Sequence, residues 1–311
     1  MNKKVYLTFD IETIVSRLSY NPTYHASVLL GGMTIAHELK KRNLKGTFYI
    51  SLSPKCREIS FSRYIEAINL LVECLKSYEN IQIEPHLHAY KVPVSFDCKK
   101  DKFSAYNKNE QKELLVWSKA FFKKHGIEVK NFRPGGYNVN DSYYEALFET
   151  GFRTSSILHK DNNKDNDKVS IDLLTGMVRD HIIPYKTKQG VIEYPVTSVK
   201  IKSIKPRVTE IVNLSPDFLT IESVRDYIEK LSYVNINFHS FSMYNNRLAR
   251  ENHQGQIRNN FKFIFFEKWI NKILRFKNIE TINHNTLFAK EFIRWIDFIE
   301  SKKYSTYFIG E

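Results

Sequence analysis

Apolar and polar residues alternate in several short stretches, and the first sets the pattern. Val5-Tyr6-Leu7-Thr8-Phe9-Asp10-Ile11-Glu12 reads as an apolar strand ending in two carboxylates. Side chains at i and i+2 of an extended chain share a face, so Asp10 and Glu12 point one way and Ile11 the other. Further strands are predicted at 46–50, 81–86, 129–133, 151–157 and 234–239, with a strand or strand pair at 191–199 and a short one at 279–282. Between them, helical spacing predicts helices at 33–43, 61–78, 110–125, 141–150, 221–231, 257–276 and 286–300. The second of these places Ile65, Ile68, Leu71, Val72 and Leu75 on one face. Strands alternating with helices argue for βα units, hence an α/β fold built on a parallel sheet or barrel. There is no internal repeat and no domain boundary. The expected organisation is one domain, 1–311, with an insertion at about 159–190 and C-terminal helices at about 257–302.

Composition narrows the partners. The formal net charge of +13 over 311 residues favours anionic ones: phosphates, nucleotide-sugars, acidic glycans or a membrane surface. No nucleic-acid recognition motif accompanies the charge, so nucleic acid is not an expected partner. No apolar run reaches the roughly eighteen residues of a transmembrane helix. The densest stretch, 261–274, is broken by Lys262, Glu267, Lys268, Asn271 and Lys272. Peripheral membrane association stays compatible with the charge. Cys56, Cys74 and Cys98 are odd in number and far apart, which fits neither a disulfide framework nor a zinc-site spacing. With no signal-peptide pattern at the N-terminus, the expected location is the cytoplasm. Oligomeric state is not encoded in any visible pattern.

The unusual polar residues fall at strand ends. Asp10 and Glu12 end the first strand, His86 and His88 the third, Arg133 a later one and His239 another. In a β/α barrel such ends converge on one rim, where catalytic residues sit. His86 and His88 share a face, with Leu87 on the other, and offer two imidazoles to zinc or a similar divalent ion. One or two carboxylates of the first strand complete a set with an open position. In Phe132-Arg133-Pro134-Gly135-Gly136-Tyr137, the arginine can clamp a carboxylate and the Pro-Gly-Gly turn lets backbone amides approach a ligand. His239, between Phe238 and Ser240, suits a general acid near neutral pH. Each piece also has an ordinary reading: solvated acids, surface histidines, a surface turn, a packed core histidine. Their joint position favours the metal reading.

Together the pieces resemble the polysaccharide deacetylase superfamily, the NodB-homology or carbohydrate esterase family 4 fold. Thr8-Phe9-Asp10 looks like its first motif and His86-Leu87-His88 like its metal-binding histidines. The stretch 132–137 looks like its arginine-proline motif and Phe238-His239-Ser240 like its late histidine motif. Gly46-Thr47-Phe48-Tyr49-Ile50 looks like the strand after its first helix, and the resemblance spans residues 5 to about 245. It implies a distorted β/α barrel of about seven strands and a divalent metal, usually zinc. By position, Asp10 would be the general base, His86 and His88 metal ligands and Arg133 the group orienting Asp10, with Glu12 either a third ligand or a residue supporting one. The backbone around Gly136 and Tyr137 would hold the oxyanion, and His239 would protonate the leaving amine. Pro134, Gly135, Gly136, Phe238 and Ser240 would line the substrate.

The departures have a pattern of their own. The family's first motif has adjacent aspartates, whereas position 11 here is isoleucine and the next acid is Glu12. Its two histidines lie four apart, here two apart. Both changes fit a subgroup associated with bacterial surface-polysaccharide gene clusters, with Asp-x-Glu and His-Leu-His motifs. An aspartate supporting the late histidine is expected near Thr154 to Ser156 and is absent there. The resemblance implies removal of an N-acetyl group from a sugar of a lipopolysaccharide or capsule precursor or repeat unit, nucleotide-linked or lipid-linked. Two alternatives stand beside it. One is a glycan-binding barrel that has lost catalysis, motivated by Ile11 and the missing aspartate. The other is a C–N hydrolase acting on a non-sugar amide.

Overall fold

The computed structural model describes residues 3–13, 25–54, 61–158, 169–202, 209–243 and 287–311. The expected helix at 257–276 and strand at 279–282 lie outside them. The main sheet takes its strands in the order β12 (Tyr233–His239), β1 (Lys4–Ile11), β2 (Gly46–Ser51), β3 (Ile81–Leu87), β4 (Asn131–Pro134), β5 (Thr154–Ser155) and β9 (Ile192–Glu193), all parallel. At its edge β8 (Tyr185–Lys186) runs antiparallel to β9. Hydrogen bonds join the two ends of this curled sheet. Tyr194 and Val196 donate to Ser155 O and Ile157 O, and Thr197 N–H donates to Asn235 O on β12. The expected β/α barrel is therefore present.

The strands alternate in a way that serves a barrel with a polar interior. Val5, Leu7, Phe9 and Ile11 of β1 join the apolar core outside the barrel, beneath the helices. Phe48 and Ile50 of β2, Ile81, Ile83 and Leu87 of β3 and Phe132 of β4 join the same core. The alternate residues Thr8, Asp10, Tyr49, Glu84, His86, Asn131, Arg133, Asn235 and Asn237 are also buried. Thr8, Asp10, Arg133, Asn235 and Asn237 hydrogen-bond to one another inside the ring, and Asn131 donates to Glu84. Tyr6, Tyr49, Tyr194, Tyr233 and Ile309 form a separate cluster at the floor. There β13 (Thr306–Tyr307) pairs with Val5 and Tyr6 of β1, and Ile309 N–H donates to Thr47 Oγ1 at 3.1 Å.

The helices fall close to their predicted places: α1 (Gly31–Lys41), α2 (Phe61–Leu75), α3 (Lys108–Lys124), α4 (Tyr143–Glu149), α5 (Ile221–Ile228) and α6 (Leu287–Ser301). Helix α3 opens with a capping box, Asn107 accepting from Glu110 N–H and Glu110 from Asn107 N–H. No described helix is long and apolar enough to cross a membrane.

The stretch predicted at 191–199 divides between two sheets. β9 belongs to the barrel, whereas β10 (Ser198–Lys202) forms a smaller sheet with β11 (Thr209–Asn213), β6 (Ile171–Asp172) and β7 (Met177–Val178). Pro195 lies between them. It has no N–H to donate to a continuous ladder. The connection from this second sheet back to the barrel, 214–220, passes beside the strand ends, and its position matters for the site.

Candidate metal and catalytic site

Strand register brings the expected residues together. Asp10 on β1 sits level with His239 on β12, and His86 on β3 level with Arg133 on β4. Asp10, Glu12, His86, His88 and Arg133 are each at most 3 % exposed, so their charges need close partners.

Glu12 Oε2 lies 3.1 Å from His86 Nε2 and 2.9 Å from His88 Nε2. One ligand atom from each of the three residues falls within 4.8 Å of the other two. The opposite ring nitrogens decide what faces the centre. His86 Nδ1 is 3.0 Å from Arg133 O, and His88 Nδ1 is 2.8 Å from Asp101 Oδ1. A carbonyl or carboxylate oxygen only accepts, so each Nδ1 carries a hydrogen. In the neutral rings both Nε2 lone pairs then point at the Glu12 carboxylate. Burial also pushes His86 below its usual range, favouring the neutral ring over the pull of Asp10 and Glu12. Three electron-pair donors converging in a buried place fit a divalent cation, and two nitrogens with one oxygen suit zinc or a similar ion.

Packing fixes this arrangement. A Cβ on Gly135 would lie 2.5 Å from His88 Nδ1, so only glycine lets the Pro-Gly-Gly turn pass the ring. Gly136 and Tyr137 both have left-handed φ, +61° and +59°. For Tyr137 that is a strained conformation held by its surroundings.

Asp10 belongs to a second set. Arg133 donates from NH1 to Asp10 Oδ1 and Asn237 Oδ1, both at 2.8 Å, and from NH2 to Thr8 Oγ1 and Ser156 Oγ at 2.9 and 2.8 Å. Its guanidinium lies 4.0 Å from the Tyr49 ring centroid. Asn237 Nδ2 donates to Asp10 Oδ2 at 3.2 Å and to the Tyr137 hydroxyl at 2.8 Å. Burial would raise the Asp10 carboxyl, but Arg133, His86 and His239 outweigh it and hold the group below the ordinary carboxylate range.

His239 closes the ring of residues. Its Nε2 stands 3.6 Å from Asp10 Oδ2 and 3.8 Å from Glu12 Oε1. Its Nδ1 lies 2.6 Å from Asp217 Oδ2. Burial lowers its basicity, but Asp217, by charge and hydrogen bond, together with Asp10 and Glu12, raises it to about 9. Phe241 stacks on the imidazole, with centroids 4.8 Å apart.

The structure thus assembles Asp10, Glu12, His86, His88, Arg133, Gly135, Tyr137 and His239. Pro134 is buried in β4 and Gly136 is exposed beside Tyr137. Two expected substrate positions are corrected. Phe238 is 1 % exposed and stacks on Phe292 of α6 at 4.8 Å, outside the barrel, because it alternates with Asn237 and His239. Ser240 is fully buried and accepts from Glu12 N–H at 3.1 Å, so it holds the end of β1.

Three residues escaped the sequence reading. The supporting aspartate is not absent: Asp217, on the connection 214–220, holds His239 in place of an acid at 154–156, where Ser156 instead accepts from Arg133. Nothing local marks Asp217 for this task. Asn237 was legible from the same alternation that singled out Asp10 and Glu12. Asp101 lies in an irregular loop without periodicity.

No family model and no curated protein sequence matches the chain. Solved structures do. One from Mycobacterium smegmatis, described as a polysaccharide deacetylase, is 14 % identical, covers 98 % of this chain and 93 % of its own, and superposes with a TM-score of 0.51. A second from Bordetella bronchiseptica, described as a polysaccharide deacetylase involved in O-antigen biosynthesis, is 11 % identical, covering 94 % of this chain and 90 % of its own, at 0.44. A family 4 carbohydrate esterase from Streptomyces lividans, in complex with acetate, is 12 % identical over 77 % of this chain and 80 % of its own, at 0.39. At such identities the likeness concerns the backbone, and it extends over nearly the whole chain in the first case: the chain has the α/β barrel fold of the polysaccharide deacetylases.

Proposed function

We propose that this protein is a divalent-metal-dependent hydrolase that removes an N-acetyl group from a sugar, with Glu12, His86 and His88 as the metal ligands. The observation that carries the reading is the convergence of these three donors beside two built pairs, Asp10 with Arg133 and His239 with Asp217. A bound ion would supply Lewis-acid polarisation of the acyl carbonyl and acidify water at neutral pH.

The chain's own residues divide the proton work. Asp10, kept ionised by Arg133, takes a proton from the attacking water at Oδ2, the oxygen on the His239 side. Arg133 and Asn237 leave that carboxylate no freedom to turn away. His239, charged and held by Asp217, gives its Nε2 proton to the leaving amine, without which the carbon–nitrogen bond does not break. The Tyr137 backbone, held in its left-handed turn, offers an amide to the developing oxyanion. Burial strengthens each of these interactions.

The substrate is a bacterial surface-polysaccharide precursor or repeat unit, carried on a nucleotide or lipid in the cytoplasm. The net charge of +13 supports a phosphorylated carrier. Asp217 removes one motive for the reading as a catalytically lost barrel, since the late histidine is supported after all.

The test begins with metal content by mass spectrometry on protein purified without a metal-affinity tag, for wild type and His86→Ala. Acetate release is then compared between N-acetylated sugars and small cyclic amides. Near-stoichiometric metal lost in the variant, with acetate release from the sugars that falls steeply in Asp10→Asn and His239→Ala, is expected. No metal after reconstitution with each divalent ion sinks the hydrolase, and turnover confined to the cyclic amides sinks the sugar.

A further inference from the structure

His88 is held from behind by an acid with no part in the mechanism above. Asp101 Oδ1 lies 2.8 Å from His88 Nδ1. The loop after β3 is folded to bring it there. Ala89 N–H donates to Asp101 O at 3.1 Å, and Lys91 N–H to Cys98 O at 2.9 Å. The buried Tyr106 hydroxyl bonds Ala89 O at 2.9 Å and Lys100 O at 2.7 Å, and accepts from Lys100 N–H at 3.0 Å. Strand end and loop are therefore clamped together on either side of the imidazole. The Asp101 side chain itself is 55 % exposed, so the packed core does not depend on it.

The two histidines differ in this respect. His86 rests its Nδ1–H on a neutral backbone carbonyl of Arg133, His88 on a charged carboxylate. A carboxylate accepts a hydrogen bond more strongly than a carbonyl. It draws the Nδ1 hydrogen outward and leaves more electron density on Nε2, the atom that faces Glu12 and His86.

We propose that Asp101 is a positioning residue for the metal centre. It locks His88 in the Nδ1-protonated tautomer and makes it the stronger donor of the two imidazoles. The inference rests on Glu12, His86 and His88 being the ligands, and it does not depend on which substrate the site hydrolyses.

The experiment is a zinc titration of the full chain stripped of metal, in competition with a chromophoric chelator. It compares wild type, Asp101→Asn, Asp101→Ala and His88→Ala. Nitrogen chemical shifts of the histidine rings are recorded in the metal-free state. Wild type is expected to take up one zinc and His88→Ala to lose it. Asp101→Ala binds about 10- to 100-fold more weakly. Asp101→Asn falls between, because its amide oxygen still accepts but carries no charge. The His88 ring shifts move from a single tautomer in wild type to a mixture in Asp101→Ala, a change that general loosening of the loop would not confine to one ring. Zinc binding by Asp101→Ala as tight as wild type overturns the inference and leaves the ligand set standing. A wild-type chain that takes up no zinc overturns the ligand set and the inference with it. Acetate release enters neither outcome, so a wrong substrate would show separately.

Discussion

Asp217 grips His239 twice, at the ring Nδ1 from 2.6 Å and at the backbone N–H from 3.1 Å, both through Oδ2. Ser215 Oγ also donates to that oxygen at 3.0 Å, so the carboxylate cannot swing away. The ring is thereby presented with Nε2 toward Asp10 and kept charged.

Asp217→Asn keeps the shape and removes the charge. It is expected to lower kcat for acetate release by about 100-fold or more, the scale of general acid catalysis, with little change in KM and none in zinc content. The double variant with His239→Ala should be no slower than His239→Ala alone, because the two act as one unit. Steady-state kinetics on the four proteins check this, and additive losses would separate the residues.

Arg133 is fully buried and binds Thr8, Asp10, Ser156 and Asn237 at once. Arg133→Met leaves the Asp10 carboxylate buried beside no guanidinium, a loss of about 3–5 kcal/mol. Adding Asp10→Asn should recover part of it. Arg133→Lys should also recover only part, since an ammonium keeps the charge but lacks the planar fork that reaches all four partners. Urea unfolding curves measure the series.

Gly135→Ala would drive a Cβ to 2.5 Å from His88 Nδ1 and 2.6 Å from its Cε1. Overpacking of this kind destabilises by about 1–3 kcal/mol. Here it should also displace the ring and weaken zinc binding. Thermal unfolding of the metal-free chain and zinc titration are the two measurements. A variant normal in both would mean that the turn yields freely.

Glu193 is buried inside the barrel, accepting from Ile157 N–H at 2.8 Å and Tyr144 OH at 3.2 Å. Burial raises its carboxyl from an ordinary 4.5 to about 7. The folded chain therefore holds this proton between pH 4.5 and about 7, where the unfolded chain has released it. The contribution of this group to stability should fall as pH rises through that window and level off above it, by roughly 3 kcal/mol. Glu193→Gln should flatten that part of the profile. Unfolding free energies of both proteins from pH 4.5 to 8 test the sign, and an unchanged slope would refute it.

Much of the site was legible because strand alternation is local. Asp10 and Glu12 sharing a face, and His86 and His88 sharing another, follow from a two-residue period that needs no knowledge of the fold. The same period read along 234–239 turns Asn235, Asn237 and His239 inward and Ile236 and Phe238 outward. Phe238 therefore faces Phe292 of α6 and not the barrel interior.

What the sequence by itself determined is most of the barrel strands, their alternation and the chemical groups at their ends, since each depends on neighbours a few residues apart. Tertiary structure alone decided which groups meet. Asp217 reaches His239 because a second sheet returns the chain beside the strand ends. Tyr137 meets Asn237 across 100 residues because β4 and β12 face each other through the ring. Asp101 finds His88 through an irregular loop tied down by Tyr106. Such pairings depend on barrel closure and loop direction, which no local spacing encodes.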